Sequence, residues 1–211
     1  MALRDGFAVH ALTVRYGQRH AAELDAAARV ATSLGISRHT VVDVDLRAIG
    51  GSALTADIPV PLDREDAAIG RGIPTTYVPA RNTVLLSLAL ALAETTGALD
   101  LFIGANEVDF SGYPDCRPEF LAAFERLADV GTRAGADGAR FRVHAPLIAL
   151  SKREIIERGT ALGVDYALTL SCYDPSPDGA ACGRCDACRL RLRGFREAGL
   201  ADPGRYRAAT A

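Results

Sequence analysis

The chain has 211 residues, 49% of them hydrophobic and 24% charged, which suits one well-buried globular domain and excludes a disordered or fibrous chain. Its 24 basic and 26 acidic residues leave a net charge of -2, which argues against general attraction to nucleic acid or an anionic membrane. No window reaches the roughly 18 apolar residues of a membrane helix, and the first residues, with Arg4 and Asp5, do not read as a signal peptide, so a cytoplasmic protein is expected.

Residues 8–14 form an apolar, partly β-branched run between Gly6 and Gly17, which predicts a first strand. A helix follows from about Arg19, with Leu24, Ala27, Ala28, Ala31 and Leu34 on one face and Gly35 as its stop. Residues 40–44 predict a second strand, and the Gly and Pro residues from Gly50 to Pro79 predict a long loop without regular structure. Asn82 is expected to cap a helix over 83–96 that is apolar nearly all round, hence buried, and ends at Gly97. Residues 99–103 predict a third strand. The polar loop 104–115 then leads into a helix with Pro118 in its first turn and Phe120, Phe124 and Leu127 at helical spacing, which Asp115 could cap. A fourth strand is expected near 141–143. Ser151 and Glu154 precede Ile155 and Ile156 in a capping-box pattern that opens a helix ending at Gly163. A cysteine-rich segment and a closing helix complete the chain.

Strands alternating with helices predict an α/β fold, a parallel sheet covered on both faces over 1–170, followed by a small C-terminal metal module at 171–211. Ligands in such folds sit beyond the carboxyl ends of the strands, here near loops 16–20 and 104–117.

Cys172, Cys182, Cys185 and Cys188 are separated by nine, two and two residues. Two-residue gaps let neighbouring thiolates turn onto one ion, and four thiolates at about 2.3 Å describe a closed tetrahedral zinc site. Gly183 would supply the turn, and Arg184, Arg189 and Arg191 would offset the charge of zinc with four thiolates. An iron-sulfur cluster is the alternative, although the nine-residue gap fits no ferredoxin spacing. Lys152 is the one lysine among the 24 basic residues, a compact charge suited to a phosphate. Gln18, Arg19 and His20 follow the first strand at a helix start, where donors meet anions. Loop 104–117 gathers Asn106, Glu107, Asp109, Tyr113, Asp115, Cys116 and Arg117 at a strand end, a concentration of polar groups that a polar ligand would use. With no histidine near it in sequence, Cys116 reads as a packing or binding residue rather than a nucleophile.

Tyr-Gly-Gln-Arg-His at 16–20, Val-Pro-Ala-Arg-Asn at 78–82, Asp-Phe-Ser-Gly-Tyr-Pro-Asp-Cys-Arg at 109–117, Ser-Lys-x-Glu at 151–154 and the four cysteines together resemble the 7-cyano-7-deazaguanine synthases, a family of PP-loop ATP pyrophosphatases, over residues 2–193. The resemblance implies a Rossmann-like sheet of the adenine-nucleotide alpha-hydrolase type. It also implies a ligase of queuosine biosynthesis that makes 7-cyano-7-deazaguanine from 7-carboxy-7-deazaguanine, ammonia and ATP with magnesium. ATP would activate the carboxylate as an acyl-adenylate, ammonia would give the amide, and a second activation would dehydrate the amide to the nitrile. On this resemblance Asp109, Tyr113, Asp115 and Arg117 would hold the deazaguanine or its carboxylate, with Asp109 and Lys152 catalytic. Arg81 and Lys152 would face phosphates, and Gln18, Arg19 and His20 the nucleotide. A homodimer without membrane or direct nucleic-acid partners is implied as well.

The family's phosphate-cradling Ser-Gly-Gly-x-Asp-Ser run does not occur here, and Gly50-Gly51-Ser52, its nearest look-alike, follows the second strand. The expectation is a true start twenty-odd residues upstream, with catalysis by the chain as it stands in question; the competing expectation is a relative that no longer cleaves ATP. Two other readings stay open: a PP-loop tRNA thiolase with an iron-sulfur cluster, and a zinc-stabilised module binding nucleic acid through the arginines of 184–196.

Overall fold

A computed structural model describes residues 1–18, 22–65, 68–69, 72–106 and 113–208. In chain order its elements are β1 (His10–Arg15), α1 (Ala22–Ser33), β2 (Arg38–Asp43), α2 (Arg81–Thr96), β3 (Asp100–Phe102), α3 (Pro118–Gly131), α4 (Arg133–Ala136), β4 (Arg142–His144), α5 (Lys152–Ala161) and α6 (Asp186–Glu197). Short 3₁₀ turns lie at Leu46–Ala48, Pro114–Cys116 and Tyr166–Leu168. The chain forms two compact units, one of Met1–Val78 with Ser151–Ala211 and one of Pro79–Leu150, so the cysteine segment packs with the N-terminal residues.

In the first unit β1 and β2 pair in parallel, from His10 opposite Arg38 to Arg15 opposite Asp43. A parallel pair needs a crossover connection, which α1 supplies. This helix buries Ala26 and Ala31, whose small side chains allow close approach. Leu34 was expected on that face but is 42% exposed, and Ala28 is exposed too. The cause is local: Ile36 N–H closes back on the Ala31 carbonyl at 3.0 Å, which turns Leu34 outward at the helix end.

The stretch 50–79 has no helix or strand among its described residues, yet it is well packed. Ser52 and Ala53 are fully buried, and the Ser52 hydroxyl and the Ala53 N–H both reach the Thr75 carbonyl, at 3.3 and 2.8 Å. Further along, α5 opens with the expected capping box. Ser151 Oγ accepts from the Glu154 N–H at 3.2 Å, and the Glu154 carboxylate accepts from the Ser151 N–H at 2.8 Å. Helix α6 lies against α5. Its buried Arg191 donates to Asp202 at 2.8 Å, to Thr169 Oγ1 at 2.7 Å and to the Tyr166 carbonyl at 3.0 Å, while the Tyr206 hydroxyl donates to Asp202 at 2.5 Å. This network fastens the C-terminal tail.

In the second unit β3 and β4 pair in parallel, Asp100 opposite Arg142, with α3 in the crossover. The core joins Leu86, Leu90 and Ala93 of α2 to Leu101, Leu121, Phe124, Ala128 and Phe141. Phe124 is buried as its spacing predicts, but Leu127 is 52% exposed. The buried stripe of α3 runs through 121, 124 and 128, and Leu127 falls on its flank. Helix α2 is not buried all round either, since Ser87, Ala91 and Glu94 face outward. On the strands themselves Phe102 and Val41 stay 38% and 47% exposed.

The start of α2 differs from expectation. The helix begins at Arg81, its N-cap is Ala80 in the left-handed region at φ 54°, and no side chain of its own caps it. Asn82 stands in the first turn, and its N–H is taken by Asp115 Oδ2 at 3.0 Å. Asp115 therefore caps α2 across 33 residues of chain rather than the adjoining α3, which starts at Pro118, a residue with no N–H to cap.

Candidate functional site

One atom from each of Cys172, Cys182, Cys185 and Cys188 lies within 4.8 Å of the other three. Four sulfurs about 2.3 Å from one ion stand about 3.8 Å apart in a tetrahedron, and the Cys182 and Cys188 sulfurs are 3.9 Å apart. Gly183, at φ 74°, makes the turn that points Cys182 and Cys185 at the same centre. Backbone N–H groups point at the sulfurs: Cys182 and Asp174 donate to Cys172 at 3.1 and 3.3 Å, Tyr173 to Cys185 at 3.4 Å, and Arg184 and Cys185 to Cys182 at 3.3 Å. N–H donors stabilise thiolates. The thiols also act on each other, because contact with Cys172 lowers Cys185 while contact with Cys185 raises Cys172. Thiolates packed this closely repel one another, and a divalent cation offsets that charge. The donor set fits a tetrahedral, thiophilic metal ion.

The surrounding arginines are more committed than their sequence positions suggest. Arg184 pairs with Asp63 through two nitrogens, and Arg191 is spent on Asp202. The Asp63 contact belongs to a larger attachment that sequence reasoning missed. Leu62 forms an antiparallel bridge with Cys185, the Asp63 N–H donates to the Arg184 carbonyl at 2.9 Å, and Arg64 donates to the buried Asp186 carboxylate at 2.7 Å. Residues 62–64 of the long loop are thereby stitched onto the cysteine turn. A cavity of about 590 Å³ opens beside it, bounded by Arg29, Thr169, Cys172, Ser176, Cys188 and Arg191.

In the second unit a polar cluster forms where α2 begins. Tyr113, Asp115, Cys116 and Asn82 are all buried there. The Asn82 amide nitrogen donates to the Asp115 carbonyl at 2.9 Å and to Cys116 Sγ at 3.2 Å. Burial, then the neighbouring Asp115, pushes the Cys116 thiol up, against the Arg81 charge, so Cys116 is poorly suited to act as a nucleophile. Asp115 is 5% exposed and its second oxygen, Oδ1, is buried without a hydrogen-bond partner among the described residues. Asn106, also buried, donates to the Leu147 carbonyl at 3.0 Å and holds the end of β3 to the chain after β4. Arg117 is exposed. Asp109, Arg19 and His20 lie outside the described residues.

The remaining expected residues belong to the first unit. Gln18 turns back on its own loop, its Oε1 accepting from the Tyr16 N–H at 2.8 Å. Beside it a cleft of about 340 Å³ lies at the carboxyl ends of β1 and β2, between Arg15, Asp43, Asp45 and Arg47, where a parallel sheet presents ligands. Lys152 is the first residue of α5. The N-terminus of a helix is a place where a bound anion is stabilised by N–H groups and the helix dipole.

Comparison with known proteins adds to this geometry. Residues 1–199 match the family described as queuosine biosynthesis protein QueC. A protein of Paramagnetospirillum magneticum described as 7-cyano-7-deazaguanine synthase is 61% identical over 98% of this chain and 91% of its own length. Proteins with the same description from Xanthomonas campestris pv. campestris (strain B100) and Stenotrophomonas maltophilia (strain K279a) are 65% and 63% identical, again over 98% of this chain and 90% and 91% of theirs.

Proposed function

We propose a function from one premise: this chain belongs to the QueC family of queuosine biosynthesis proteins. It is an ATP-dependent ligase that converts 7-carboxy-7-deazaguanine and ammonia to 7-cyano-7-deazaguanine. The observation that carries this reading is the 61 to 65% identity, across 98% of the chain, to proteins described as 7-cyano-7-deazaguanine synthase.

The chemistry divides into two activations. The substrate carboxylate attacks ATP, giving an acyl-adenylate and pyrophosphate; ammonia displaces AMP to leave the amide. The amide oxygen is adenylylated by a second ATP with release of pyrophosphate, and loss of AMP and of both amide protons gives the nitrile. Each step develops negative charge on phosphate, which fixed cations stabilise. Lys152 at the start of α5 and Arg81 at the start of α2 are the cations we assign to it, with magnesium accompanying ATP. Gln18, Arg19 and His20 serve the nucleotide. Asp109, Tyr113, Asp115 and Arg117 hold the deazaguanine, whose amino and ring N–H donors suit carboxylate acceptors, and Asp109 works beside the reacting carboxylate.

The four cysteines hold one zinc ion, which closes the turn and supplies rigidity rather than reactivity. Segment 171–211 is the metal module of a cytoplasmic homodimer. No helix of the described residues is long and apolar enough to cross a membrane.

The test is a reaction of the purified protein with 7-carboxy-7-deazaguanine, ¹⁵N-ammonium and Mg-ATP, read by mass spectrometry, with substrate binding measured by calorimetry. Labelled nitrile with two AMP per product is expected. An enzyme that neither binds 7-carboxy-7-deazaguanine nor releases labelled amide or nitrile would refute the assignment, as would Asp109→Asn with full turnover for that residue.

A further inference from the structure

The function assigned above gives Asp115 to the deazaguanine but leaves Asn82 without a task, although Asn82 makes two hydrogen bonds to Asp115 and a third to the Cys116 beside it. The Asn82 N–H donates to Asp115 Oδ2 at 3.0 Å, and the Asn82 amide nitrogen donates to the Asp115 carbonyl at 2.9 Å and to Cys116 Sγ at 3.2 Å. Both residues are 5% exposed. Asn82 is thus bonded to the main chain, the carboxylate and the following side chain of one short 3₁₀ turn, Pro114–Cys116.

The consequence falls on the other carboxylate oxygen. Among the described residues, Asp115 Oδ1 is buried and has no hydrogen-bond partner. A buried acceptor left unsatisfied is expensive and rare, and where it persists it marks a place for a group that arrives from outside. Rotation of the carboxylate, the ordinary escape, would break the bond from the Asn82 N–H at the positive end of α2. The preceding Ala80 holds a left-handed conformation at φ 54° that a residue with a Cβ seldom adopts. Such strain is retained where surrounding structure fixes a site.

We infer that Asn82 is a positioning residue for the reaction. Its side-chain amide holds the Pro114–Cys116 turn against the start of α2, where the N–H at position 82 takes Oδ2, so that Oδ1 alone faces the ligand and accepts one hydrogen bond from the exocyclic amino group of the deazaguanine. A carboxylate with both oxygens free would take the amino group and the adjoining ring N–H together. With one oxygen committed, the pairing is single, and the amino group, which projects furthest from the ring, is the donor that reaches it. This inference rests on the function proposed above and assigns a specificity device within it.

The test measures binding by calorimetry of 7-carboxy-7-deazaguanine and of its analogue lacking the 2-amino group, to the wild type, Asn82→Ala, Asn82→Asp and Asp115→Asn, with thermal melting of each protein recorded alongside. The wild type is expected to favour the amino compound at least tenfold. Asn82→Ala and the isosteric Asn82→Asp, which both keep the N–H at position 82 but lose the amide donors that hold the turn, should each bind the amino compound about tenfold or more weakly and lose most of the preference as the turn shifts, while affinity for ATP stays within about twofold. A folded Asn82→Ala protein that keeps the full preference overturns the positioning role, and it does so even if Asp115→Asn abolishes binding. Unchanged binding by Asp115→Asn overturns the acceptor role of Asp115. Absence of preference in the wild type overturns the inference while leaving the reaction intact, and absence of any binding overturns both. Should Asn82→Ala not fold, Asn82→Asp supplies the same comparison.

Discussion

Gly194 of α6 faces Lys152 of α5 so closely that a Cβ on the glycine would lie 2.8 Å from the Lys152 Cβ and 2.9 Å from Ile156 Cδ1. The helix that follows the cysteines therefore sets the position of the residue assigned to phosphate. Gly194→Ala gains about 1 kcal/mol of helix propensity, but overpacking against a backbone-proximal atom costs about 1 to 3 kcal/mol. A net loss of about 1 kcal/mol is expected in urea denaturation, with a raised KM for ATP because α5 shifts. Equal or greater stability would show that the helices separate freely.

Replacing Lys152 itself should separate catalysis from stability. Lys152→Ala removes a cation from a helix N-terminus and is expected to leave stability within about 1 kcal/mol, while kcat/KM for ATP falls about a hundredfold or more. Lys152→Arg should recover little, since a planar guanidinium replaces a compact charge. Unchanged ATP affinity and rate in Lys152→Ala would remove the residue from the site.

Metal analysis of the purified protein should return one zinc per chain and no absorbance near 400 nm. A brown protein carrying iron and sulfide would replace zinc with a cluster. Stripping the ion should loosen more than the cysteine turn, because Asp63 and Arg64 are bonded to Arg184 and Asp186 inside it. Limited proteolysis after chelation is expected to cut first between 50 and 79. Arg64→Ala should cut there faster than the wild type with the metal still bound.

The Arg191–Asp202 pair gives a pH prediction. Burial acts to raise the Asp202 carboxyl, but the hydrogen bonds from Arg191, Tyr206 and the Gly204 N–H outweigh it and leave the carboxyl below its usual range. A folded-state value below the unfolded one, about 3.9, gives stability that is complete above about pH 4 and is lost as pH falls through the folded value. Asp202→Asn leaves Arg191 buried without its counter-charge, an expected loss of about 3 kcal/mol at pH 7. Its denaturation midpoint should then change less than that of the wild type between pH 4 and pH 2.

Local signals were legible in the amino-acid order. The Ser151–Glu154 box, Gly97 after α2 and the turn through Gly183 stand where their chemistry requires, because each depends on neighbours within four residues. The four cysteines were legible for the same reason. What was not legible is what joins distant segments. Asp115 reads as the cap of the helix that follows it, whereas it caps a helix that begins 34 residues earlier in the chain, at Arg81. Periodicity placed Leu127 and Leu34 inside because an apolar stripe does not reveal which of two overlapping faces meets the core. Asn82 lay within a recognised run and was still misread, since its side-chain partners belong to another turn.

The stitching of residues 62–64 onto the cysteine turn also orders assembly. Cys172 and Cys188 are 16 positions apart, while Arg64 and Asp186 are separated by 122. Each doubling of a closed loop adds about 0.6 kcal/mol of lost chain entropy, and nearly three doublings make the second closure about 2 kcal/mol dearer. The cysteine turn can close on its ion while still a free segment, whereas the loop must wait until the strands between have brought it near. With the zinc proposed above, such a chain would take its metal early and seal the surrounding lobe last.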